Sequence, residues 1–195
     1  MAKIDKKALR REEARALQAA RPAMTPELAD AVRLAPLPFA GAWVATGWQR
    51  SKLAVVGVAR RRPDGDLAAV LTLVDLGCLG VKTARVYPKI EAYRFSAELE
   101  RIADSGLDAV TAGQVAQLVR EASRWSARFG LKREPVSSTV LTFVGGVDAD
   151  LAFEVPLGEG GKPIFIPGPQ DDTDAIMAQL TAAVGPGGFE FFTPM

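Results

Sequence analysis

The chain has 195 residues, 48% hydrophobic and 24% charged, a composition that fits a globular domain with its own core and excludes a disordered chain. It contains no histidine and one cysteine, Cys78, which excludes Ser-His-Asp and Cys-His catalysis, histidine-ligated or thiolate zinc sites and an internal disulfide, while a carboxylate-only magnesium or calcium site stays open. The net charge of +1 hides an asymmetry: residues 1–134 carry 23 Lys and Arg against 15 Asp and Glu, and residues 135–195 carry Lys162 against eight carboxylates. Such polarity reads either as two parts that pack against each other or as a basic binding face.

The chain opens Met1-Ala-Lys-Ile-Asp-Lys-Lys7, charged and without an apolar signal core, and no apolar run approaches bilayer length, so a cytoplasmic address is expected. Residues 3–20 read as a helix rich in Lys, Arg, Glu and Ala with few apolar positions (Ile4, Leu9, Leu17). The expected organisation is a basic helical arm over residues 1–22 and a domain over residues 23–195. In Thr25-Pro26-Glu27-Leu28, Thr25 is an N-cap, Pro26 fits the first turn and Glu27 favours the positive helix end. That helix should run to about Leu34, before Pro36 and Pro38.

Three strands are expected next: Ala42–Ala45, Leu53–Ala59 and Leu67–Asp75. Arg62-Pro-Asp-Gly-Asp66 joins the last two as a hairpin, because proline presets the turn and glycine accepts positive φ. The third strand is almost wholly apolar and should lie at the sheet centre, covered on both faces. Residues 96–130 read as mostly helical. Thr111-Ala-Gly-Gln114 fits a capping box, and Val115, Leu118, Val119, Ala122, Trp125 and Phe129 follow on one face up to Gly130. After an irregular stretch, Leu151–Val155 should pair with Pro163–Ile166 across Gly158-Glu-Gly-Gly161. The latter resembles a phosphate loop but has Pro163 where a Ser or Thr is required after the lysine. Asp171 or Asp172 should cap a last helix ending at Gly185, and Phe189–Phe192 a last strand. The expected fold is therefore a single α+β domain with a largely antiparallel sheet packed with helices.

Three constellations carry candidate chemistry. In Asp75-Leu-Gly-Cys-Leu-Gly-Val-Lys82, Lys82 would lower the thiol pKa of Cys78 and Asp75 would bind a metal or act as a base, or else Cys78 is a buried hydrophobe in a glycine bend. Arg60, Arg61 and Arg62, with Arg50 and Lys52 nearby and Trp43 and Trp48 close in sequence, form a basic and aromatic cluster at one end of the first hairpin. With Lys6, Lys7, Arg10 and Arg11 of the arm it is the candidate nucleic-acid footprint, or else a solvated hairpin end. Asp171, Asp172 and Asp174 are the candidate metal carboxylates, or else a helix cap.

Val58-Ala-Arg-Arg-Arg-Pro-Asp-Gly65, the segment Leu73–Lys82 and Gly161-Lys-Pro-Ile-Phe-Ile-Pro-Gly-Pro-Gln-Asp171 together resemble an uncharacterised family of bacterial proteins, over about residues 40–192. The resemblance implies no activity and lends no catalytic residues. The chain departs from it at Gly77, where an aromatic is usual, and at Thr83, where an acid is usual. The leading expectation is a non-catalytic binding or adaptor protein contacting RNA, a ribonucleoprotein or a protein through the arm and first hairpin, with no cofactor and no membrane. The alternatives are an enzyme centred on Asp75, Cys78 and Lys82, and a protein–protein interaction module.

Overall fold

The structure is a computed structural model that describes residues 25–103, 106–131, 134–145 and 154–192. The expected arm, with Lys6, Lys7, Arg10 and Arg11, lies outside the described residues. No helix among the described residues is long and apolar enough to cross a membrane.

The elements in chain order are α1 (Pro26–Leu34), β1 (Phe39–Ala45), α2 (Trp48–Ser51), β2 (Leu53–Arg61), β3 (Leu67–Asp75), β4 (Gly80–Ile90), α3 (Ala92–Ile102), β5 (Leu107–Val110), α4 (Ala112–Ala127), α5 (Glu134–Val144), β6 (Ile164–Phe165), α6 (Thr173–Val184) and β7 (Glu190–Phe191). β1 to β5 form one antiparallel sheet in the order β4-β3-β2-β1-β5. The fold is α+β. β3 is an inner strand flanked by β4 and β2, so its apolar sequence does mark an interior position, with β2 one place nearer the middle.

Strand alternation sends successive side chains to opposite faces. On one face Ala42, Val44, Val56, Val58, Val70 and Val74 pack under α1, α4 and α5 to make the main core. On the other face Ala59, Leu67 and Ala69 pack under α3 through Phe95 and Leu99. α3 lies close because β2 offers a glycine there: a Cβ on Gly57 would fall 2.6 Å from a Leu99 methyl carbon. A third cluster joins Cys78 and Leu79 to Trp125 and Phe129 of α4, Phe165 of β6, and Ile176 and Leu180 of α6.

The local signals act as expected at several ends. Thr25 Oγ1 accepts from the Leu28 N–H, Thr111 and Gln114 form the reciprocal capping box, and Asp172 accepts from the Ala175 N–H. In the first hairpin the Arg62 N–H donates to the Asp66 carbonyl at 2.9 Å, and Gly65 takes φ +90°.

Elsewhere the structure departs from expectation. Residues 107–110 are not helical but form β5, because Gly106 at φ +103° turns the chain after α3 and β1 offers an open edge. Residues 80–90 form an eleven-residue strand. Residues 134–144, rich in Ser, Thr and Val, form α5 despite weak helix propensity, because Val140, Phe143 and Val144 are buried in the main core. The Thr139 hydroxyl donates to the Pro135 carbonyl four residues back, which satisfies it inside the core.

The second hairpin is also replaced. Leu151–Phe153 lie outside the described residues, and Glu154–Leu157 form no strand. Ile164–Phe165 instead pair in parallel with Glu190–Phe191. The Gly158 N–H donates to the Leu76 carbonyl and the Ile164 N–H to the Gly77 carbonyl, so the bend after β3 takes the bonds that a hairpin partner would have taken.

Candidate functional site

The segment after β3 is a buried bend. Asp75 is 2% exposed, and its Oδ1 accepts from the N–H groups of Cys78 at 2.9 Å and Leu79 at 3.2 Å. The bend is fixed from outside by the Trp125 indole N–H, which donates to the Gly77 carbonyl at 2.8 Å. Gly77 has no room for a side chain, since a Cβ would sit 2.4 Å from the Ile164 carbonyl oxygen. Gly80 takes φ +70° as β4 begins.

Electrostatics follow from that burial. Desolvation pushes the Asp75 carboxyl up, against the downward pull of the backbone N–H groups and of Lys82. Desolvation, reinforced by the Asp75 charge, pushes the Cys78 thiol far up, so the thiolate that a nucleophile requires is disfavoured. Lys82 does not serve Cys78. Its Nζ is ion-paired with Asp171 Oδ2, with side chains 11% and 1% exposed, and the same oxygen accepts from the Gly168 N–H at 2.8 Å. Asp75, Cys78 and Lys82 are therefore neighbours, but they do not open onto one surface. Their arrangement ties the 168–171 loop, the bend and β4 together.

The candidate metal carboxylates part in the same way. Asp171 turns inward to Lys82, Asp172 caps α6, and Asp174 is exposed in its first turn. No group of three or more potential ligands is placed to hold a metal ion among the described residues.

The basic cluster is divided. Arg50 and Lys52 precede β2, whereas Arg60, Arg61 and Arg62 lie at its far end. Eight residue steps at about 3.3 Å separate these ends by about 26 Å. Arg60 is 7% exposed and points into the main core, where its guanidinium donates to the carbonyls of Leu37, Phe143 and Val144 at 2.5, 2.7 and 2.9 Å. It closes the C-terminus of α5. Arg62 donates to the Pro88 carbonyl and pairs with Asp64, and Lys89 pairs with both Asp64 and Asp66. Two cations and two carboxylates thus offset one another at the hairpin tip. Lys52 donates to the Pro156 carbonyl, and Arg50 is exposed. The tryptophans are not a shared stacking platform. Trp48 is buried in the main core, and Trp43 lies on the opposite face, edge-on to Phe95 at 6.2 Å.

Arg61 alone of the three consecutive arginines reaches an open concave surface. β2 alternation sends it to the α3 face, where a groove of about 410 Å³ lies between α3 and the β1–β5 edge of the sheet. Half-buried Trp43 and Leu107 supply its apolar surface above the buried Phe95 and Leu99, and Arg61, Ser96 and Glu100 supply its polar groups. Arg61 and Glu100 make no ion pair among the described residues. Sequence reasoning missed this site because α3 and β5 were read as one helical stretch, so Trp43, Phe95 and Leu107 were not seen to share a face. The signal available was Gly106, which separates a helical pattern from a short Leu-Asp-Ala-Val strand.

No protein-family model, curated protein or solved structure matches the chain.

Proposed function

We propose that the chain is a non-catalytic binding protein that engages a polypeptide partner through the groove beside α3. The observation that carries this reading is the groove itself. It is concave, with half-buried Trp43 and Leu107 supplying its apolar surface over the buried Phe95 and Leu99, and it is bordered by one cation and one carboxylate, a combination that protein interfaces use. Two further placements support it. The reactive side chains Asp75, Cys78 and Lys82 are engaged in holding the bend. Of the hairpin cations expected to meet RNA, Arg62 pairs with Asp64 and Arg60 is held by main-chain carbonyls, which leaves Arg61 in the groove. A carboxylate at the rim favours a partner carrying both signs of charge over the uniformly negative backbone of a nucleic acid.

The test is site-specific photo-crosslinking in cells of the source organism. A benzophenone side chain at Ser96, exposed and lining the groove, should give light-dependent protein adducts, and the same group at Ala178 on α6 should not. Absence of adducts from Ser96, adducts of equal yield from Ala178, or adducts to RNA alone would each overturn the reading.

A further inference from the structure

The C-terminal elements pack apart from the main core. Among the described residues, the buried side chains of that core lie between Ala31 and Val144. β6 and β7 form a sheet of their own, with the Phe165 and Phe191 ring centroids 5.8 Å apart, and α6 connects them. Phe165, Ile176 and Leu180 are buried in the separate cluster that also holds Cys78, Trp125 and Phe129. Burial of three such side chains has to oppose the conformational entropy of the whole segment.

The bend against which this segment rests is held by other elements. Asp75 Oδ1 accepts from the Cys78 and Leu79 N–H groups. The Gly77 carbonyl accepts from two donors, the Trp125 indole N–H of α4 and the Ile164 N–H of β6, so it keeps a partner when β6 departs. Just upstream, Val155 and Leu157 pack on the main core, and the Gly158 N–H donates to the Leu76 carbonyl. Between that anchor and β6 stand Gly160 and Gly161, at φ +55° and +79°, where a Cβ would meet nothing within 4 Å. Glycine changes conformation there with little steric resistance, and the Glu159–Lys162 bridge that closes this turn parts with it. Side chains fasten the helix to the rest of the fold. Lys82 Nζ of β4 is ion-paired with Asp171 Oδ2, directly before the α6 cap Asp172, and Gln179 Nε2 donates to the Phe129 carbonyl at 3.0 Å.

We infer that residues 163–192 are a latch that lifts off the five-stranded sheet as one unit about Gly160 and Gly161 while the main core stays folded, baring Cys78, Trp125 and Phe129. Lys82 is the residue that holds the latch shut. Without it the closed form buries the Asp171 carboxylate uncompensated, whereas the open form returns that carboxylate to water. α6 has 12 residues, a length at which an isolated helix is marginal in water, so it unravels when lifted and its amides exchange with solvent. The latch stands independently of the groove beside α3.

Hydrogen exchange of the full chain, read by mass spectrometry in urea below the unfolding transition, tests this alongside labelling of Cys78 by a disulfide reagent. Without urea, α6 amides should exchange about tenfold or more faster than those of β2 and β3, after correction for intrinsic rates. Their exchange should also rise less steeply with urea, as an opening that exposes less surface does. Cys78 labelling should follow the α6 course. Val58→Ala, a change in the main core, should speed the β2 and β3 amides about tenfold and leave α6 and Cys78 unchanged, because that core stays closed when the latch opens. Lys82→Met should speed α6 exchange and Cys78 labelling by one common factor of about a hundredfold or more. Exchange of α6 at the rate and urea dependence of β2 and β3, acceleration of α6 by Val58→Ala, or Cys78 labelling that departs from the α6 course would each overturn the latch.

Discussion

Replacing Arg60 by methionine keeps the aliphatic stem of the side chain and removes its five donors. In the native chain those donors serve three main-chain carbonyls: Leu37 in the α1–β1 connection, and Phe143 and Val144 in the last turn of α5. A helix leaves its last carbonyls without intrahelical partners, and a cation is favoured there by the macrodipole. The guanidinium also lies over the Phe143 ring, 5.6 Å from its centroid. Hydrogen bonds to a charged donor contribute roughly 1.5–3 kcal/mol each. Against that stands the cost of desolvating the guanidinium, which is also what lowers the Arg60 pKa. Leaving two buried acceptors and one part-buried acceptor unpaired should therefore cost about 3–5 kcal/mol in total. For a domain of this size about 1 kcal/mol moves Tm by roughly 2–4 °C, so Arg60→Met should lower Tm by about 6–20 °C. Thermal and urea unfolding followed by circular dichroism read this directly. Arg60→Lys should recover only a minor part, because a single ammonium cannot reach three carbonyls set in a fork. A methionine variant within about 1 kcal/mol of the native chain, or a lysine variant equal to it, would refute the argument that the forked donor set holds α5.

The remaining predictions concern the bend. Cys78 should react with a disulfide reagent far more slowly in the native chain than in urea. Because burial raises its pKa, the unfolded chain loses this proton first, so stability should fall as pH rises above the ordinary thiol range; Cys78→Ala, followed by urea midpoints against pH, should remove that part of the alkaline loss. The Asp75 pKa is also raised, so its contribution is fully present below the unfolded carboxyl range and is lost as pH rises through the folded value. Asp75→Asn keeps an oxygen for the Cys78 and Leu79 N–H groups and should gain on the native chain as pH rises above the ordinary carboxyl range, whereas a pH-independent difference would refute the burial argument. Gly77→Ala should cost about 1–3 kcal/mol by urea midpoint, since its Cβ meets a carbonyl rather than a side chain that can move. Lys82→Met should cost about 3–5 kcal/mol by leaving the Asp171 carboxylate buried without its cation, and Lys82→Met with Asp171→Asn should recover much of it by removing the stranded charge.

The elements legible in the sequence were those with an end signal and a period in agreement. α1 has Thr25 and Pro26, α4 has its capping box and one apolar face, and α6 has Asp172 and Gly185. The hairpin from β2 to β3 was legible because Pro63 and Gly65 determine it locally. β4 was not read, although Val81, Ala84 and Val86 are its residues packed on the main core. The register shift between Leu73 and Val74 displaces its alternation after Val81, and Pro88 interrupts it further on. α5 went unread because its Ser, Thr and Val content argues against a helix locally, and only burial beside α1 and α4 reverses the preference. The site failed for a related reason. A run of three arginines is one feature in sequence and three environments in a strand: Arg60 in the core, Arg61 in the groove and Arg62 on Asp64.

That separation also indicates how the two faces of the sheet divide their tasks. Away from the groove, the charged side chains that looked reactive are committed to internal ties, local for Asp75 and between elements distant in sequence for Lys82 and Arg60. Asp75 shapes the bend, Lys82 reaches Asp171 across 89 positions, and Arg60 reaches α5 across more than 80. Removing one partner of such a tie strands the other at high cost, and a wrong register does the same, which favours one packing over its neighbours. The side covered by α3 shows the opposite allocation. Gly57, Ala59 and Ala69 let α3 seat closely on the sheet, and the adjoining β1–β5 edge keeps Trp43 and Leu107 at the surface of a groove that Arg61 and Glu100 border. Among the described residues the polar ties between distant elements are thus set apart from the open groove, so a substitution at Arg60 or Lys82 should be read in stability and one at Arg61 or Ser96 should leave stability within about 0.5 kcal/mol.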